Sequence, residues 1–351
     1  MSLTDDVLAV RTAVTLADGA HLTCVRVAGR HALDALDRIS PRELFARPGQ
    51  MVHTLLVDDS ARPFADLYIA CDEDDYLLLA EGVTGAQLAD HVRRHAGDLE
   101  VTTEELATTH AFLTLNGPYA WELLAAVASP DVIGLPYLGF FHEGRFTCFR
   151  AGRTGEYGYD LMIPHPDVAA IRAAIVATGA QFDLREIGLD AIDLCSFENG
   201  FFNVRRDAQP GLTPVELQLQ WRVSYHRTYP GSAAVVARRA TATRRSIMLA
   251  AREPIDRDAA VELAGEGGGV AGGTPVGSIV HAARSPVRDE WLALAVVDRD
   301  LAHPGIAFTV GGIAAHSTSS PAINNRSAYV DPQRHSYVTR ANDKFPPLVR
   351  P

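Results

Sequence analysis

Two carboxylates in this chain border apolar runs, where an acid is either solvated at a turn or held in a pocket to do chemistry. Asp66 lies in Pro63-Phe64-Ala65-Asp66-Leu67-Tyr68-Ile69, where a polar turn enters an apolar run. A carboxylate there must be solvated, hydrogen-bonded or shifted in pKa. A solvated turn acid is the common outcome; a fixed anion in a dry pocket is the one that does chemistry. Asp160 alternates with apolar neighbours in Arg153-Thr154-Gly155-Glu156-Tyr157-Gly158-Tyr159-Asp160-Leu161. Gly155 and Gly158 allow close backbone approach. An acid on one face of a strand can read a ring carrying an N–H and an exocyclic amine. The alternative is a hairpin turn with a solvent-facing Asp. A third segment, Gly188-Leu189-Asp190-Ala191-Ile192-Asp193 followed by Thr213-Pro214-Val215-Glu216 and Trp221, carries no signal alone. Gly267 to Gly272 spells G-x-G-x-x-G, but without the strand before it and helix after it that a dinucleotide site needs, it reads as a barrel loop. There is no P-loop, H-E-x-x-H or G-x-S-x-G, and no metal ligand set is assigned.

The elements that must position these residues follow from periodicity. His21 to Val27, Val52 to Val57, Leu67 to Cys71 and Tyr76 to Ala80 read as strands, and Arg30 to Ile39 and about Ala86 to His95 as helices. Asp58 to Pro63 carries turn chemistry. This order predicts an α+β unit with a mostly antiparallel sheet. Tyr119 to Val127 reads as a helix behind Asn116-Gly117-Pro118. Arg145 to Arg150 and Tyr159 to Ile163 read as paired strands, and Asp167 to Thr178 and Gly188 to Glu198 as helices. Arg238 to Arg245 is basic, polar and helix-poor, and reads as a linker. Short apolar runs follow at Ser246 to Ala250, Ala260 to Leu263, Val276 to Val280, Trp291 to Val297 and Ile306 to Val310. Separated by Gly- and Pro-rich turns, they predict a small β-barrel or sandwich. The polar tail after Asn324 is expected to be partly disordered or to wrap another subunit.

The 351 residues suffice for two or three domains, and their 47% hydrophobic content supports sizeable cores. A net charge of -11 argues against nucleic acid as a partner. The longest late apolar run, Trp291 to Val297, is far shorter than the roughly 18 residues of a membrane span. Cys24, Cys71, Cys148 and Cys195 form no C-x-x-C pair and read as buried thiols in a reducing compartment. The acidic start, Met1 to Asp6, lacks a signal-peptide pattern. These features predict a cytoplasmic protein.

Taken in order, the three segments resemble the aminomethyltransferase (glycine-cleavage T-protein) family, whose members read N-E-x-G-G-x-x-D-D-L, then R-T-G-Y-T-G-E-D-G-[FY]-E-L, then G-L-G-A-R-D-x-L-R-L-E and T-P-x-E-x-G-L-x-W. Val10-Arg11 through Asp18, His21 and Gly29 resembles the family's start, and Gly277-Ser278-Ile279 with Ala283-Arg284-Ser285-Pro286 resembles a further motif. The likeness runs from about residue 7 to residue 315.

The resemblance implies an α+β fold of three domains around a central tetrahydrofolate pocket: two interleaved α+β subdomains over residues 1–240, a C-terminal β-barrel over 241–325, and a tail over 326–351. It puts Asp66 at the family's essential aspartate, where a fixed anion in a low-dielectric pocket stabilises cationic character during one-carbon transfer. It puts Asp160 at the pterin-reading acid, one methylene shorter, and His53 where relatives carry a tyrosine. His53 and His21 are candidates for proton transfer because imidazole titrates near neutrality. Tyr159, Arg153, Tyr68 and Arg284 are the further expected contributors to the folate site. The chain departs from the pattern at Arg153, where the family has tyrosine, and at Ile192, where it has arginine. The implied function is tetrahydrofolate-dependent methyl or methylene transfer, or demethylation, on a small-molecule substrate, with a homo-oligomer left open. Two rivals are a folate-independent reaction using His53 and Asp66 as an acid–base pair, and a non-catalytic folate-binding protein.

Overall fold

The computed structural model describes residues 2–45, 47–265 and 275–349. The glycine-rich Gly267 to Gly272 stretch lies outside the described residues. Two sheets, interleaved in sequence, are followed by a closed barrel.

The first sheet has five strands in the order Met51–Val57, Pro63–Asp72, Asp75–Glu81, Thr23–Ala28, Thr102–Glu105, all antiparallel. Alternate side chains of a strand point to opposite faces. Ala65, Leu67 and Ile69 therefore meet Leu36, Ile39, Leu88 and Val92 of the helices Ala32–Ile39 and Gly85–Ala96. The second helix starts with a capping box between Thr84 and Gln87, an arrangement contributing about 1 kcal/mol. Asp66, Tyr68 and Ala70 take the opposite face. The strand begins at Pro63, earlier than the apolar run announces, just after a register shift between Leu56 and Val57. Proline tolerates the first position of a strand because its missing N–H costs little there.

The second sheet has the order Arg185–Glu186, Thr15–Asp18, His110–Asn116, Gly158–Pro164, Phe146–Phe149, Phe140–Glu143. Thr15–Asp18 precedes the first sheet in sequence and His110–Asn116 follows it. Tyr159, Leu161 and Ile163 face one core, shared with the helices Ala120–Val127 and Val168–Gly179. Met162, Phe112 and Phe149 face another, where they meet Tyr68, Leu77 and Leu79 of the first sheet. The two sheets thus pack partly face to face.

The barrel closes in the order Arg244–Ala251, Glu290–Asp298, Gly277–Ser285, Ala260–Leu263, Ala307–Val310, Ile313–Thr318. Its last strand is not legible as an apolar run. Two further expectations need correction. Arg238 to Arg245 is no helix-poor linker: the helix Ser232–Thr241 runs through Arg238, which pairs with buried Glu216 at 2.5 Å, and the first barrel strand starts at Arg244. The tail does not dangle. Val330 and Tyr337 are buried in the second sheet's outer core, and Glu122 accepts hydrogen bonds from Ser336 and from the Tyr337 N–H.

One buried cation ties these parts together. Arg11, on the helix Leu3–Thr12, is fully buried and donates to Thr154 O at 2.6 Å, Glu198 at 2.8 Å and Asn325 at 3.2 Å. Glu156 lies at 3.4 Å, and Ser285 of the barrel donates to Glu198 at 2.6 Å. Gly155 sits inside this cluster at φ +82°, where a Cβ would lie 2.6 Å from Asn199 and Asn325. The R-T-G-E segment is therefore built around Arg11. The four cysteines are buried and free. Among the described residues, no helix is long and apolar enough to cross a membrane.

Candidate active site

The inward face of the first sheet carries the chemistry. Asp66 is opposite Leu55 on one neighbouring strand and Glu81 on the other, and His53 is opposite Tyr68. His53, Asp66, Tyr68 and Glu81 therefore share one face. Across from them stand the helix Leu189–Glu198, with Ile192, Asp193 and Ser196; the segment Phe201 to Asn203; Arg205; the turn carrying Trp221 and Arg222; and Gly152 with Arg153. Between them lies a partly open cavity with about 120 Å³ of free space.

Asp66 is 5% exposed. Its Oδ1 accepts from Arg222 Nη1 at 2.8 Å and lies 2.7 Å from His53 Nε2. Among the described residues Oδ2 takes no hydrogen bond. Burial alone would raise this carboxyl's pKa, but Arg222 and His53 outweigh it and hold the acid well below the usual carboxylate range. Burial likewise pushes the His53 pKa down, and Arg222 adds to the effect against the pull of Asp66. Near neutral pH the pair is a carboxylate and a neutral imidazole. His53 stacks on Tyr68 with ring centroids 4.1 Å apart and meets Trp221 edge-on at 6.4 Å. Trp221 is 59% exposed, so an apolar face stands at the cavity rim.

A ladder of alternating charge forms the other wall. Arg153 Nη1 donates to Asp160 at 3.0 Å, and its Nε lies 2.5 Å from Glu81 Oε1. Glu81 also accepts from Arg205 at 3.2 Å, and Arg205 makes two bonds to Asp193 at 2.6 and 3.0 Å. The Arg153 guanidinium lies 5.0 Å from the Tyr68 ring centroid. His21 stands 3.8 Å from Glu81, and burial pushes its pKa down too. With both histidines neutral, three guanidinium groups, Arg153, Arg205 and Arg222, are balanced on the wall by three carboxylates, Asp66, Glu81 and Asp193, with Asp160 behind them. The fixed anion nearest the open space, Asp66, favours a reacting centre that becomes cationic.

Of the residues singled out from sequence, Asp66, His53, His21, Tyr68 and Arg153 line this cavity together. Asp160 lies behind Arg153 rather than on the wall; burial raises its pKa and Arg153 partly offsets this. Tyr159 does not reach the cavity. Strand alternation turns it away from Asp160 into the apolar core, where it is 1% exposed. Arg284 does not either: it sits half-exposed on a barrel strand, paired with Asp289. Arg222, Glu81 and Arg205 escaped sequence reading. Glu81 ends an apolar strand as many surface acids do, and only its register against Asp66 marks it. Arg222 adjoins Trp221, the one hint to its place.

Comparison with known proteins gives the family. The family model of the GCVT N-terminal domain matches residues 1–227. The aminomethyltransferase of Saccharopolyspora erythraea is 27% identical over 314 residues, covering 86% of this chain and 83% of the relative. That of Frankia alni is 29% identical over 303 residues, covering 84% and 80%. The crystal structure of glycine cleavage system aminomethyltransferase T from Bartonella henselae superposes with a TM-score of 0.78 at 21% identity, covering 94% of this chain and 90% of that one; at that identity the likeness speaks for the fold. With the family model spanning well over half its length, the chain belongs to the aminomethyltransferase family of one-carbon transferases.

Proposed function

We propose that this protein is a tetrahydrofolate-dependent one-carbon transferase that moves a methyl or methylene group between a small substrate and reduced folate. The observation that carries the reading is Asp66: a carboxylate kept ionised by Arg222 and His53, on the wall of the cavity, with one oxygen still able to accept. The site is also suited to a flat, polar ring. His21 Nδ1 is buried and makes no hydrogen bond among the described residues, so a ring with a polar edge would satisfy it. Asp66, Glu81, Tyr68 and Trp221 are the residues that would hold the folate, with Asp160 behind them. When bound, the folate supplies a nucleophilic nitrogen for the one-carbon unit. Asp66 then stabilises positive charge at the reacting centre, Arg222 and His53 fix its orientation, and Trp221 shields the mouth from water. Removing such a preorganised electrostatic group typically costs about 10²- to 10³-fold in kcat.

The test is titration calorimetry with a reduced folate, paired with product analysis using labelled tetrahydrofolate. Micromolar binding is expected, and Asp66→Asn should keep the circular dichroism spectrum and lose turnover. Absence of binding heat at any practical concentration would refute the reading. A second reading, a folate-independent reaction with His53 as base and Asp66 as its partner, draws support from their 2.7 Å contact. Label appearing on tetrahydrofolate decides against it.

A further inference from the structure

We infer that Arg153 sets the affinity of this cavity for folate: its guanidinium already occupies the donor position that a pterin edge would take. The inference rests on the folate reading above. A pterin presents a planar row of N–H donors resembling one side of a guanidinium, and both groups pair with a carboxylate through parallel hydrogen bonds. Arg153 supplies such donors from within the chain. Nη1 donates to Asp160 at 3.0 Å, Nε faces Glu81 at 2.5 Å, and the guanidinium lies against the Tyr68 ring at 5.0 Å, where a flat ring would stack.

Two details argue for a displaceable occupant rather than a fixed strut. Neither Nε nor Nη2 of Arg153 makes a hydrogen bond among the described residues, although both atoms are buried. The side chain is thus held by charge and by one aligned bond. Its two acids are also not equally dependent on it. Glu81 keeps Arg205 if Arg153 leaves, whereas Asp160 has no other ion-pair partner among the described residues. Displacing Arg153 exposes a buried acid that needs donors, and a pterin edge would provide them. Folate binding in the wild-type protein therefore carries the cost of breaking the Arg153–Asp160 pair.

The test is calorimetry with 5-formyltetrahydrofolate on the full chain and on Arg153→Met, with folding checked by circular dichroism. Losing an internal competitor that makes one charge-assisted hydrogen bond should tighten binding by about tenfold or more. The double variant Arg153→Met/Asp160→Asn, which removes both charges together, should abolish the gain. If Arg153→Met fails to fold, Arg153→Lys, which keeps the charge but cannot bridge both acids, is read in its place, with about threefold tightening expected. A variant that binds no tighter than a binding-competent wild type overturns the inference and leaves the folate reading standing. A variant that binds where the wild type does not supports the inference and removes folate from the native reaction. If neither binds, both fall.

Discussion

Replacing Arg222 by Met would take away the cation that keeps Asp66 ionised. The pair is 2.8 Å apart and both side chains are more than nine-tenths buried. Two unit charges about 4 Å apart at an effective dielectric near 20 interact by about 4 kcal/mol, and stranding one member of a buried pair costs about 3–5 kcal/mol. The two routes agree, so Arg222→Met should lose roughly 4 kcal/mol in urea unfolding at pH 8. The pH dependence makes the argument sharper. In the wild type, burial and Arg222 depress the His53 pKa against the pull of Asp66. The unfolded chain then takes up the proton first, and this contribution to stability is lost as pH falls below about 6.5. Without Arg222, burial and Arg153 still lower the His53 pKa, but one of the two opposing cations is gone and the pKa moves back toward the unfolded value. A smaller depression means that less stability is lost as pH falls below about 6.5. The Arg222→Met defect should therefore be smaller at pH 5.5 than at pH 8, and His53, followed by NMR of its ring protons, should titrate at higher pH than in the wild type. Equal losses at both pH values with an unmoved His53 would refute the electrostatic account of this site.

Three other outcomes follow from the same geometry. Arg11→Met leaves Glu156 and Glu198 buried without their shared cation and should cost about 3–5 kcal/mol, read as a lower urea midpoint with unchanged affinity for reduced folate. Trp221→Ala removes an exposed ring and should leave the thermal midpoint within about 2 °C, while weakening ligand binding by about 1–2 kcal/mol in calorimetry, since rim aromatics act on the ligand rather than the core. His53→Phe keeps a ring for Tyr68 to stack on but cannot carry a proton. It should lower kcat by about 10²-fold if proton transfer is part of the reaction, and a loss under threefold with an unchanged pH profile would show that His53 neither carries a proton nor is needed to position Asp66.

How much of this could be read in advance differs from element to element. Four of the first sheet's five strands and its helices were legible because those strands are rich in Val, Leu and Ile and the helices show apolar residues at helical spacing. Thr15–Asp18 and Thr102–Glu105 were not, being four residues long with no run to mark them. Ile313–Thr318 was missed because its small and polar residues carry no β signal, and barrel closure rather than propensity makes it a strand. The R-T-G segment pointed to close packing but not to its purpose, since Arg11 lies far away in sequence.

The chain by itself determined its family and its nearest chemistry. The collinear segments around Asp66, Asp160 and Pro214 are local patterns, and local patterns survive in a one-dimensional string. Tertiary structure alone decided which charges face which. Asp66 looked like a turn acid and is a buried anion, because Arg222, 156 residues on, reaches it. Arg153 was a departure from a motif and is the cation between Asp160 and Glu81. Tyr159 and Arg284 matched the pattern and lie elsewhere. Electrostatic energy falls with distance and grows with burial, and neither distance nor burial between remote residues is written in the order of the amino acids.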